Sequence, residues 1–279
     1  MIINWFPGHM KKTLEEMQKN AKLCDAIIYV LDARVPESSF NPKIDSIVEH
    51  KPILYVLNKA DLADENATKK FVQKFKDQGK NVISLVSSES KSKNKILDEL
   101  KKMLAEKIEK NNNKNINVTY KVMVIGVPNT GKSSIINALA SNAKTVTGNK
   151  AGVTKMTQWV KMQSNFVLLD TPGTLWPKFE DQNLALKLAF VGSIKDDVLD
   201  IEELGFALID YLIKKFPKNV VNRYGEFDQT QELIEIYNGF CKNRGFILKN
   251  KEIDYLRAGR GFLDDFRTGK IGRLTLDEI

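Results

Sequence analysis

Two rhythms of hydrophobic and polar positions run along this chain, and the change from one to the other divides it. Through about residue 178, short apolar runs of strand length alternate with amphipathic stretches of helical period. Residues 9–23 place Met10, Leu14 and Met17 on one face and predict a helix. Residues 25–31 predict a buried strand ending in Asp32-Ala33-Arg34-Val35-Pro36; 52–57 predict a second, which delivers Asn58-Lys59-Ala60-Asp61. A third, 81–86, is followed by Ser87-Ser88, a fourth spans 120–125, and a fifth, 166–169, ends in Asp170-Thr171-Pro172-Gly173. Helices are expected around 44–48, 67–78, 94–110 and 134–140, with 111–115 as a polar connector. Strands and helices alternating at this spacing define an α/β domain with a mostly parallel, doubly wound sheet. Such sheets bind ligands outside the carboxyl ends of their strands, where all these polar loops fall.

From about Phe179 only the helical rhythm remains. Asp200-Ile201-Glu202-Glu203 reads as a capping box, followed by a stripe of Leu204, Ala207, Leu208, Tyr211 and Leu212, with Pro217 closing the segment. Asp228 with Gln231 is expected to open a second helix, carrying Leu233, Ile236, Tyr237 and Phe240; Asn250 is expected to cap a third, carrying Ile253, Leu256, Leu263 and Phe266. The division expected is an α/β domain over 1–178 and an all-α domain over 179–279.

Composition narrows the class. The chain has 279 residues, of which 42% are hydrophobic, and no apolar run approaches the roughly 18 residues of a membrane helix, so no membrane partner is expected. The first residues have neither a signal-peptide nor a transit-peptide layout. Cys24 and Cys241 are far apart in apolar surroundings without metal-ligand spacing, which predicts buried thiols and a reducing, cytoplasmic setting. The formal net charge is +8. A basic strip in the helical part, Lys242, Arg244, Lys249, Lys251, Arg257, Arg260, Arg267 and Lys270, is either a solvated face or a surface for a polyanion such as RNA.

The densest chemistry is Gly126-Val127-Pro128-Asn129-Thr130-Gly131-Lys132-Ser133, which fits G-x-x-x-x-G-K-[ST] between a predicted strand and a predicted helix. Its glycines let backbone N–H groups close around phosphate at a helix N-terminus. Lys132 is placed to reach the β- and γ-phosphates and Ser133 to bind magnesium, with Asn129, Thr130, Gly131 and Ser134 completing the loop. Asn58-Lys59-Ala60-Asp61 has the form N-K-x-D. The Asp61 carboxylate accepts from the ring N–H and exocyclic amine of guanine, a donor pair adenine lacks; Asn58 meets the keto side, and the Lys59 stem covers the base. Asp170 ends a strand where a magnesium-coordinating carboxylate belongs. The Gly173 N–H is placed for the γ-phosphate, and Thr154 is a candidate for the magnesium shell. Together these predict a GTP/GDP site with Mg2+.

The motif order is unusual: N-K-x-D, Ser87-Ser88, phosphate loop, Thr154, then D-x-P-G. Ordinary GTPases begin with the phosphate loop, so the chain resembles the circularly permuted GTPases. Trp5-Phe6-Pro7-Gly8-His9-Met10, Asp32-Ala33-Arg34-Val35-Pro36, Leu175-Trp176-Pro177-Lys178 and Gly269-Lys270-Ile271-Gly272-Arg273 extend the resemblance over the whole length, to the ribosome biogenesis GTPases of that family. The resemblance implies GTP hydrolysis at a late step of large ribosomal subunit assembly, stimulated by the large subunit or its precursor, and a C-terminal domain that contacts ribosomal RNA. It assigns His9 to the attacking water, alongside Lys132 as a catalytic group, and Asn129 to a potassium ion; from the residues alone, a histidine at a helix start is more often a capping or surface residue, and Asn129 is equally a turn former. Many GTPases carry a glutamine after the D-x-P-G glycine. Here Thr174 stands there, which leaves open a second reading, a nucleotide-gated RNA- or ribosome-binding sensor with negligible hydrolysis.

Overall fold

A computed structural model describes residues 3, 9–140, 158–162, 165–175, 179 and 181–279, those at 9–11 by backbone alone. Its elements are, in order, α1 (His9–Leu23), β1 (Ala26–Asp32), α2 (Pro42–Val48), β2 (Ile53–Asn58), α3 (Glu65–Asp77), β3 (Asn81–Ser84), α4 (Ser90–Met103), α5 (Ala105–Asn112), β4 (Tyr120–Ile125), α6 (Lys132–Leu139), β5 (Gln158–Lys161), β6 (Phe166–Asp170), α7 (Gln182–Phe190), α8 (Ile201–Lys215), α9 (Pro217–Tyr224), α10 (Leu233–Asn243) and α11 (Tyr255–Arg267).

The six strands form one sheet in the order β3-β2-β1-β4-β6-β5. All neighbours are parallel except β5, an antiparallel edge on β6. Side chains of the buried strands alternate between two apolar layers, as a sheet covered on both faces requires. Ile28, Val30, Val122 and Val124 face α4 and α6, while Ile27, Tyr29, Leu31, Met123 and Ile125 face Met17 of α1 and Phe71 of α3. Register sets the working edge: Asp32 lies beside Asn58, and Val124 beside Asp170, so the carboxyl ends of four strands open onto one rim.

The helical part builds a third core, in which α11 packs on α8 at backbone contact distance. A Cβ on Gly205 would lie 2.4 Å from Gly259 Cα, and one on Gly259 would lie 2.3 Å from Ile201 O, so a side chain at either position would separate the helices. This core is continuous with Val35, Val127 and Leu175 from the loops at the sheet's rim.

Several local expectations are corrected. The predicted 94–110 helix is two helices that meet at Leu104, and β3 stops at Ser84. Pro217 does follow the end of α8, at Lys215, but it also begins α9, where its missing N–H is no loss. Asp228 accepts from the Thr230 N–H in a local turn, and α10 starts only at Leu233. Asn250 likewise turns the chain through the Glu252 N–H, and Asp254 caps α11 through the Arg257 N–H. Both thiols are free and buried, and among the described residues no helix is long and apolar enough to cross a membrane.

Candidate nucleotide site

The phosphate loop leaves β4 and turns into α6, whose N-cap is Gly131 at φ +92°. A Cβ there would lie 2.2 Å from Asn58 Nδ2, so glycine is required by both the backbone turn and the close approach of the N-K-x-D loop. The two loops are joined directly. Asn58 Nδ2 donates to Thr130 O at 2.8 Å, its Oδ1 accepts from the Ser87 N–H at 3.1 Å, and the Lys59 ammonium donates to Asn129 O. Lys59 and Asn129 both adopt left-handed backbone, at φ +60° and +61°. That conformation costs a non-glycine residue about 1 kcal/mol or more and is held here by the bonds between them.

Beneath Lys59 lies a pair that the sequence did not reveal. Asp32 takes two hydrogen bonds from the Arg34 guanidinium, at 2.9 and 2.8 Å, and its Oδ2 is 3.1 Å from the Lys59 ammonium. Burial opposes the Asp32 charge, but Arg34 and Lys59 hold its carboxyl well below the usual range. Burial in turn pushes the Lys59 ammonium down. Asp32-Ala33-Arg34 was visible as a motif, yet nothing in its spacing announced a partner at Lys59.

On the phosphate side, Lys132 donates to Val127 O at 2.8 Å, and burial pushes its ammonium down to about 8. Gly173 lies against Pro128 and Lys132. Asp170 is fully buried, and neither of its carboxylate oxygens has a hydrogen-bond partner of ordinary geometry. Burial raises its pKa against the opposing pull of Lys132. A buried carboxylate within electrostatic reach of Lys132, on the strand next to the phosphate loop that carries the Ser133 hydroxyl, supplies oxygen donors of the kind a hard divalent cation takes. Thr174 is also buried; its hydroxyl donates to Pro172 O at 3.2 Å and its N–H to Gly126 O at 3.3 Å, so this hydroxyl is engaged by backbone. Thr154 lies outside the described residues, as does the His9 side chain, although His9 opens α1.

Asn58, Lys59, Asp61, Ser87, Ser88 and Asn129 line one cleft of about 620 Å³. Its opposite side is formed by the helical part, through Arg260, Leu263, Asp264, Arg267 and Thr268. No periodicity in the sequence signalled that second side, because it depends on how two independently patterned halves pack. Asn129 also reaches that half, donating from Nδ2 to Val191 O at 2.9 Å.

The basic strip does not behave as one set. Arg267 turns inward, donating to Phe190 O and Ala189 O and pairing at 2.8 Å with both oxygens of Asp196, so it is corrected from RNA candidate to structural brace. Lys270 pairs with Asp264 at 2.9 Å, Arg244 approaches Asp265 at 3.4 Å, and Arg257 lies over Phe246. Lys242, Lys249, Lys251 and Arg260 are exposed.

A parallel α/β sheet with a phosphate loop, an N-K-x-D loop and a D-x-P-G loop at one rim, in permuted chain order, defines a P-loop GTPase. A family model described as 50S ribosome-binding GTPase matches residues 121–242, and one described as ethanolamine utilisation - propanediol utilisation matches 7–106. Ribosome biogenesis GTPase A of Bacillus cereus is 39% identical over 99% of this chain and 94% of its own. The mouse mitochondrial ribosome-associated GTPase 1 is 32% identical, covering 99% and 90%. Among solved structures, GDP-bound YlqF of T. maritima superposes with a TM-score of 0.69 at 28% identity, over 94% of this chain and 98% of that one. The chain belongs to the ribosome biogenesis GTPase A family.

Proposed function

We propose that this protein hydrolyses GTP to drive a late step in large ribosomal subunit assembly, with the subunit or its precursor as both activator and partner. The observation that carries the reading is the convergence of Asn58, Lys59, Asp61, Ser87 and Ser88 on Asn129 of the phosphate loop in one cleft. Asp61 selects guanine, while Asn58, whose amide is engaged by Thr130 O and the Ser87 N–H, holds together the loops that frame the base. Lys132 and the loop N–H groups hold the phosphates and offset the charge that develops on them during transfer. Asp170 and Ser133, with Thr154, would hold Mg2+, which when bound would supply positive charge to offset that of the phosphates. Asn129 is the residue we assign to a potassium ion. Because the Thr174 hydroxyl is buried against Pro172 O, the attacking water is positioned by another group, and His9 takes that role. Exposed Lys242, Lys249 and Lys251 are the residues we assign to ribosomal RNA. The chain is a two-domain protein, 1–178 and 179–279, acting in the cytoplasm.

The experiment is steady-state GTP hydrolysis in potassium or sodium, with and without purified large ribosomal subunits. Stimulation of at least tenfold, lost in His9→Ala with GTP affinity retained, is the expected result. Tight GTP binding without stimulation by mature or precursor subunits would replace this reading with the nucleotide-gated sensor, for which the engaged Thr174 is the favouring observation.

A further inference from the structure

We propose that Arg260 of α11 is a nucleotide-contacting residue, and that the helical part thereby supplies half of the guanine pocket. The inference rests on the guanine-site reading and extends it to a residue outside every nucleotide motif. Three observations carry it.

The first is position. Arg260 lines the same cleft as Asn58, Lys59, Asp61 and Ser88, from the opposite side. The second is that the wall on which it stands is fixed to the α/β part. Arg267, two turns further along α11, is clamped to Asp196 and to the carbonyls ending α7. Arg34, already bound to Asp32, donates to Arg267 O at 3.3 Å and lies over the Phe266 ring at 5.5 Å. Asp32 in turn pairs with Lys59. The guanine-recognition lysine is therefore connected to α11 through two side chains. The third is charge. The other charged groups of this wall are committed: Arg267 to Asp196, and Asp264 to Lys270. Arg260 is exposed and has no ion pair or hydrogen bond among the described residues.

A planar, weakly hydrated guanidinium at the edge of a purine pocket is suited to stacking on the base, which an ammonium cannot reproduce. The geometry points to a base held between the N-K-x-D loop and Arg260, so that base affinity depends on the helical part staying in place.

The test is titration of the full chain with GDP, comparing wild type, Arg260→Ala and Arg260→Lys, with thermal melts of each nucleotide-free protein. The alanine variant is expected to raise the GDP dissociation constant roughly three- to thirty-fold, the range of a desolvated cation–π contact. Lysine should recover less than half of that on a logarithmic scale, and the melting temperatures should coincide. A GDP affinity within twofold of wild type in Arg260→Ala overturns the inference. Full recovery by lysine also overturns it, because it would show an effect of charge at a distance. Failure of the wild-type protein to bind GDP would instead remove the guanine-site reading itself.

Discussion

In the proposed guanine site Asp61 carries the choice of base, and its chemistry can be inverted. An asparagine there offers a donor where guanine needs an acceptor for two N–H groups. Losing two charge-assisted bonds costs roughly 3 kcal/mol or more, so Asp61→Asn should weaken GDP at least a hundredfold and improve binding of xanthosine diphosphate, measurable by competition. Lys132 gives a second handle. Burial holds its ammonium at about 8 in the nucleotide-free protein. A bound polyphosphate favours the charged form, so above pH 8 binding takes up a proton. GDP affinity should therefore fall as pH rises through 8, by up to about tenfold per pH unit, and calorimetry in buffers of different ionisation enthalpy would reveal the proton. A flat profile between pH 7 and 9.5 would contradict the assignment. Both residues were legible in the sequence because each sits in a contiguous motif. Arg34 and Asp32 were legible as letters only: their meaning lies in Lys59, brought alongside by the β1–β2 register.

Among the elements, the segment after α11 is the one that periodicity could not read. It has no regular structure, yet it straps the helical part to two loops of the rim. Arg273 donates to Ala63 O and Ala60 O, Leu274 N–H to Leu62 O, and Leu276 N–H to Arg34 O. Asp277 accepts from the Glu37 and Ser38 N–H groups, each at 2.8 Å, and from the Ser38 hydroxyl at 2.5 Å, and it pairs with Lys187 at 3.0 Å. Removing a buried carboxylate with that many donors strands them, at roughly 3–5 kcal/mol. Asp277→Ala should lower the unfolding midpoint and also speed GDP release, because the strap holds the loop that carries Asp61. Unchanged release with a lowered midpoint would limit the strap to stability. The misread helix starts have a related cause. Asp228 and Asn250 do accept backbone N–H groups, as their side chains predispose them to do, but each closes a turn within two residues. Local polarity announces a cap or a turn alike; only the following packing decides between them.

At the scale of the molecule, the alternating and helical halves were legible, since burial on both sheet faces and one-sided helix stripes leave different patterns. Their mutual packing was not, because it joins residues more than 200 positions apart. Leu175, in the segment that follows D-x-P-G, sits in the same core as α8 and α11. A γ-phosphate that repositions Gly173 and with it Leu175 should therefore move the helical part as a body. Hydrogen exchange over α8–α11 should differ between GDP and a non-hydrolysable GTP analogue, and identical exchange would sever this coupling. The strap has a last consequence, in the time order of synthesis. Ser38 and Ala63 emerge from the ribosome long before Asp277 and Arg273, and the contacts between them span 239 and 210 residues. The α/β half can condense during translation, with Asn58 and Lys59 already tied to the phosphate loop, but residues 60–63 lack their outer fastening until the last of these residues is free. A nascent chain still tethered at its C-terminus should therefore hold GDP more weakly than the released protein, which GDP binding by stalled and by released chains would check.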